Sequence, residues 1–217
     1  MVKRYRLLVF DWEGTLGEDT IGQVIKAIRE SAVRLGLGEV DQALAQKSVY
    51  LGLIKAIHRL FPNARLHQQE ALFSAVNSSL AKSSVAINLI HGAFDVVERA
   101  FNAGYLLAVA TNKSQQSLNK ALQASGLGRY FLVNRCAGHV PAKPCPQMLQ
   151  ELMDVFDVRP EETLMIGDSL SDMEMAQTLS VDALGIDIHQ LNTIELLTAG
   201  AQMVCVDYSQ VADFLQL

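Results

Sequence analysis

A chain of 217 residues, half of them apolar, is long enough to bury a full core and fits one large domain or one domain carrying an insert. Its net charge of -5, with no basic run and no interleaving of basic and aromatic residues, argues against nucleic acid as a partner, because backbone phosphates need a positive footprint. Three cysteines, Cys136, Cys145 and Cys205, show no CxxC spacing, so neither a disulfide framework nor a zinc site is expected.

The chain begins MVKRYRLLVFDW. Four apolar residues before Asp11 are too few for a signal-peptide core or a membrane span, so a soluble, cytoplasmic protein is expected. RLLVF (6–10) is predicted as the first strand. Residues 17–90 then contain no convincing strand run. They hold helix-patterned stretches such as IGQVIKAIRESAVRLG and HQQEALFSAVNSSLAKS, separated by GLGEVD and FPNA, and are expected to form a helical insert. The return is placed at LIHGAF, where His91-Gly92 signals a turn before a helix from about Ala93.

Beyond it, apolar runs at 105–110, 163–167, 181–186 and 201–206 alternate with helical spacing near 92–103, 114–125, 145–156, 170–179, 191–199 and 209–216. Short buried strands alternating with helices imply a doubly wound parallel α/β sheet covered on both faces. The expected division is an α/β core of residues 1–16 and 91–217 and a helical insert of 17–90.

In open α/β sheets, ligands bind at the carboxyl ends of the strands. The residues there are Asp11 to Thr15, Thr111-Asn112-Lys113 and Gly167-Asp168-Ser169, with Lys143 in the loop HVPAKPCP. Strand alternation would point Asp11 and Glu13 the same way, and a spacing of four would put Asp168 and Asp172 on one face of a helix. With Asp11, Asp168 and Asp172 form an oxygen-rich set suited to Mg²⁺, a hard cation. Beside Thr111, the amides after it and Lys143, such a site suits a phosphoryl group that a carboxylate can attack.

Four ordered motifs, LLVFDWEGTL, LLAVATNKS, AKPCP and LMIGDSLSDMEMA, span nearly the whole chain. With them the sequence resembles the haloacid dehalogenase-like hydrolases, in particular phosphoglycolate phosphatase-like members with a helical cap inserted after the first motif. The resemblance implies Mg²⁺-dependent hydrolysis of a small phosphorylated metabolite through an aspartyl-phosphate. It assigns Asp11 as nucleophile, Thr111 and the Asn112 amide as phosphoryl-binding groups, and Lys143 as the lysine that steadies nucleophile and phosphate. Asp168 and Asp172 become metal-site acids, and the backbone carbonyl of Glu13 a further metal ligand.

Most phosphatases of that family carry aspartate where this chain has Glu13, and use it to protonate the leaving oxygen and then activate water. Glutamate is the same acid one methylene longer, and a displacement of roughly 1 Å can cost about 100-fold in rate. Three readings of Glu13 stand open: a working acid/base, a weakened or inactive protein that binds Mg²⁺ and a phosphorylated ligand, or phosphonate cleavage through a cap lysine such as Lys26, Lys47 or Lys55.

Overall fold

The computed structural model describes residues 4–18, 21–49, 52–82 and 88–217. Six strands, β1 (Leu7–Phe10), β2 (Leu106–Thr111), β3 (Val133–Cys136), β4 (Thr163–Gly167), β5 (Asp182–Ile186) and β6 (Ala201–Cys205), form one sheet in the order β3-β2-β1-β4-β5-β6. All pairings are parallel; Leu7 stands between Leu106 and Thr163, and Phe10 between Val109 and Ile166.

The period-two alternation of the strands divides the apolar residues between two cores. Leu8, Phe10, Val109 and Ile166 face α5 (Ala93–Asn102), α6 (Gln115–Ser125) and α10 (Tyr208–Leu215). Leu7, Val9, Ala108, Ala110 and Met165 face α7 (Gln147–Phe156), α8 (Leu170–Thr178) and α9 (Thr193–Thr198). The β1 side chains are fully buried, and each such residue contributes about 1.5–3 kcal/mol of transfer free energy, so the strand that leads to Asp11 is held on both faces.

Strand β3 escapes the sequence reading because its residues, Val-Asn-Arg-Cys, make no apolar run. It is an edge strand with polar side chains answered by its neighbours: Gln115 Nε2 donates to Asn134 Oδ1 at 2.9 Å, and Arg135 Nε to Glu151 Oε2 at 2.6 Å.

The chain divides into two compact units, Met1–Glu18 with Ile87–Leu217, and Asp19–Ala86. The division differs from a break at residues 16 and 91 because both connecting segments pair within the larger unit. Ile90 N donates to Leu16 O and Glu18 N to Asn88 O, each at 2.9 Å, and Gly17 bridges Leu89. The smaller unit contains α1 (Ile21–Arg34), α2 (Gln42–Val49), α3 (Leu53–Leu60) and α4 (Leu66–Lys82) around a core that includes Ile28, Ile57, Phe61, Leu72 and Val76. No helix among the described residues is long and apolar enough to cross a membrane.

Candidate active site at the carboxyl edge of the sheet

The chain order reverses at β1, which sends its first connection toward β2 and receives β4 on its other side; such a reversal opens a crevice at the strands' carboxyl ends. Asp11 follows β1 directly, its amide donating to Ile166 O at 2.9 Å, and Asp168 follows β4. One carboxylate oxygen each from Asp11, Asp168 and Asp172 lie within 4.8 Å of one another.

The local reasons differ from those read in the sequence. Strand β1 ends at Phe10, so alternation does not carry Glu13; a turn does, in which Leu16 N and Gly17 N both donate to Trp12 O and Gly14 N donates to Gly17 O. Trp12 itself is buried in the core. Asp168 precedes α8 and shares no helical face with Asp172. Asp172 is instead the third residue of the helix, its Oδ2 accepting from Ser169 N at 3.2 Å and Ser169 Oγ at 2.7 Å in a capping box.

Two glycines are required by these close approaches. A Cβ on Gly14, whose φ is +72°, would stand 2.1 Å from Asp168 Oδ2, and one on Gly167 would stand 2.4 Å from Asp172 Cγ.

Lys143 is buried among the acids, its Nζ 2.7 Å from Asp11 Oδ1 and 2.6 Å from Asp172 Oδ1. Burial opposes its charge, but the two carboxylates outweigh burial and raise its pKa. Burial pushes Asp11 up from 3.8 to about 6; Lys143 opposes the rise and Asp172 adds to it. Burial, followed by the charges of Asp11 and Asp172, raises Asp168 well above the usual carboxylate range. One ammonium does not neutralise three carboxylates.

Apart from the Lys143 ammonium, Asp11 Oδ1 meets no hydrogen-bond donor among the described residues. Three carboxylates facing a single ammonium leave an excess of anionic oxygen donors, a set that fits a hard divalent cation.

Thr111, the last residue of β2, is buried, and its Oγ1 accepts from Lys113 N at 3.2 Å. Asn112 gains a role that its amide alone did not suggest: its Oδ1 accepts from Lys143 N at 2.9 Å, and its Nδ2 donates to Lys143 O at 3.5 Å. Its side chain thus fastens the Lys143 loop to the end of β2. Glu13 is paired with Lys113, a residue inside the motif at the end of β2 to which the sequence reading attached no role. Thr15 and Tyr208 are also new: Thr15 Oγ1 donates to Asp168 Oδ1 at 3.3 Å, and Tyr208 OH to Thr15 O at 2.7 Å. The threonine lies in the first motif, whereas nothing in the sequence near Tyr208 points to the site.

The model of the family described as "Haloacid dehalogenase-like hydrolase" matches residues 8–186. This chain belongs to that family. Among curated relatives of this haloacid dehalogenase-like hydrolase, a phosphoglycolate phosphatase of Psychrobacter arcticus is 25% identical, with 97% of this chain and 95% of that protein covered. A phosphoglycolate phosphatase of Mesorhizobium japonicum is 29% identical over 83% of this chain and 82% of its own. A solved structure described as a predicted phosphoglycolate phosphatase of Haemophilus somnus superimposes with a TM-score of 0.86 at 18% identity, covering 99% of each chain. That likeness shows the fold.

Proposed function

We propose that this haloacid dehalogenase-like hydrolase is a Mg²⁺-dependent phosphatase acting on a small phosphorylated metabolite, with phosphoglycolate-like monoesters as the first class to test. The phosphatase reading draws on the names of the relatives. The observation that carries the chemistry is Asp11: a buried carboxylate 2.7 Å from a buried lysine and clustered with two more aspartates.

In this reading Asp11 attacks phosphorus, forming an O–P bond as the bond from phosphorus to the ester oxygen breaks and Glu13 gives that oxygen a proton. Water then attacks the phosphorus, Glu13 takes the water's proton, and the Asp11–phosphorus bond breaks to release inorganic phosphate. Thr111 Oγ1 and the Asn112 amide orient the transferring group, and Lys143 offsets charge on nucleophile and phosphate. Asp11, Asp168, Asp172 and the Glu13 carbonyl would hold Mg²⁺, which when bound would supply positive charge against the anionic substrate. The helical unit serves as a cap that selects substrate and excludes water.

Lys26, Lys47 and Lys55 are exposed, which denies each the desolvated setting that activates an imine-forming amine. The test is phosphate release from a panel of monophosphates with Mg²⁺ or EDTA. Activity with Mg²⁺ that falls by about 10⁴-fold or more in Asp11→Asn is expected. No release from wild type, with release restored by Glu13→Asp, would favour a protein that binds without turnover.

A further inference from the structure

The two acids that open the site have separate cationic partners: Asp11 meets Lys143, and Glu13 meets Lys113. We propose that Lys113 is the positioning residue for Glu13, holding its carboxylate in the orientation from which it exchanges a proton with the leaving oxygen and then with water. This rests on the phosphatase reading above.

The pair joins two rigid platforms. Glu13 leaves the turn closed by the three backbone bonds onto Trp12 O and Gly17 O. Lys113 leaves the segment between adjacent strand β2 and helix α6, with its own amide fixed on Thr111 Oγ1 and the next residue, Ser114, capping the helix by accepting from Ser117 N. Backbone at both ends is therefore set, and the two side chains close the remaining gap. An aspartate at position 13 would be shorter by one C–C bond, about 1.5 Å. The lysine thus gives the longer acid a fixed partner at the neighbouring strand end.

The pair is also shielded, with side-chain exposures of 19% for Lys113 and 27% for Glu13. Fully exposed ion pairs contribute little and hold no fixed geometry. A half-buried pair between anchored segments restricts the rotamers of both partners, and restriction is what a proton-transfer group needs, since misplacement by about 1 Å costs on the order of 100-fold.

A lysine that merely supported the fold would slow all substrates alike. One that positions the general acid would matter most where the leaving oxygen is basic. Phosphoenzyme formation should therefore be followed in the full chain with Mg²⁺, using phosphoglycolate, whose alkoxide leaves poorly, and p-nitrophenyl phosphate, whose phenolate leaves well. Lys113→Met is expected to slow the phosphoglycolate reaction by about 100-fold and the p-nitrophenyl reaction by less than about 3-fold, with KM little changed. Lys113→Arg should recover part of the loss, and Glu13→Gln/Lys113→Met should be no slower than Glu13→Gln.

Equal losses on both substrates, a raised KM at constant kcat, or additive losses in the double variant would overturn the proposal. If Glu13→Gln shows the leaving-group dependence and Lys113→Met does not, the lysine's role fails while that of Glu13 stands. If Glu13→Gln shows none, both fail. Independently of turnover, a crystal structure of Lys113→Met with the Glu13 carboxylate unmoved would also overturn it.

Discussion

Asp11 carries its proton more tightly in the folded, metal-free protein than in the unfolded chain, because burial raises its pKa from 3.8 to about 6 against the pull of Lys143. Between those values the native state binds more protons than the unfolded state, so its stability falls as pH rises from about 4 through about 6 and stays lower above. Asp168, raised by burial and by the same neighbours, extends the loss upward. A cation that takes the place of the proton removes the penalty. The rise in unfolding midpoint produced by Mg²⁺ over EDTA is therefore expected to be larger at about pH 7.5 than at about pH 4.5. A tenfold change in proton affinity is worth about 1.4 kcal/mol, and about 1 kcal/mol moves the midpoint of a chain this size by about 2–4 °C, so scanning calorimetry would read several degrees. Asn mimics the protonated acid, so Asp11→Asn should be more stable than wild type at about pH 7.5 in EDTA; equal or lower stability would contradict the account of a strained carboxylate.

At the scale of elements, the site depends on how β4 hands over to α8. Gly167 ends the strand where a side chain would meet the Asp172 carboxylate, and Ser169 then caps the helix while binding that carboxylate. Gly167→Ala is expected to force the turn apart, costing about 1–3 kcal/mol of stability and weakening Mg²⁺ binding in titration calorimetry. Ser114→Ala removes the hydroxyl that accepts from Ser117 N at the start of α6 and should cost about 1 kcal/mol while leaving Mg²⁺ affinity unchanged, because α6 supplies no acid to the cluster. The same elements show what a sequence can disclose. Strands buried on both faces, such as LLVF and TLMIG, were legible to within a residue because burial demands unbroken apolar runs. Val133–Cys136 was not, since an edge strand can satisfy Asn134 and Arg135 with neighbouring helices. Likewise, acids and a threonine at strand ends drew attention through their chemistry, whereas the Lys113 to Glu13 pairing depends on residues 100 apart meeting across two turns. Tyr208 reaches Thr15 from 193 residues away, a contact set by packing alone.

At the scale of the whole molecule, two hydrophobic systems are built from separate stretches of chain. The α/β unit draws its two cores from both of its segments, while the helical unit's core of Ile28, Ile57, Phe61, Leu72 and Val76 comes from one continuous insert. Neither the Asp11, Asp168 and Asp172 cluster nor Lys143 draws on the insert, and the backbone pairs that close the base of the insert, at Leu16 to Glu18 and Asn88 to Ile90, belong to the α/β unit. Cooperative unfolding units follow contiguous buried contacts, so the insert should open locally without taking the sheet with it. Leu72, fully buried at the centre of the insert's core, provides the probe. Truncating a buried leucine to alanine costs about 2–5 kcal/mol, a large part of what a four-helix unit of this size possesses. Leu72→Ala is therefore expected to accelerate amide exchange throughout α1, α3 and α4 while β1, β2 and β4 keep their protection, and to leave Mg²⁺ affinity within about twofold of wild type. Hydrogen exchange read by mass spectrometry separates the two outcomes directly. Loss of protection in β1 and β4 together with the helices would mean that the molecule unfolds as one unit, with the acid cluster dependent on the insert for its stability.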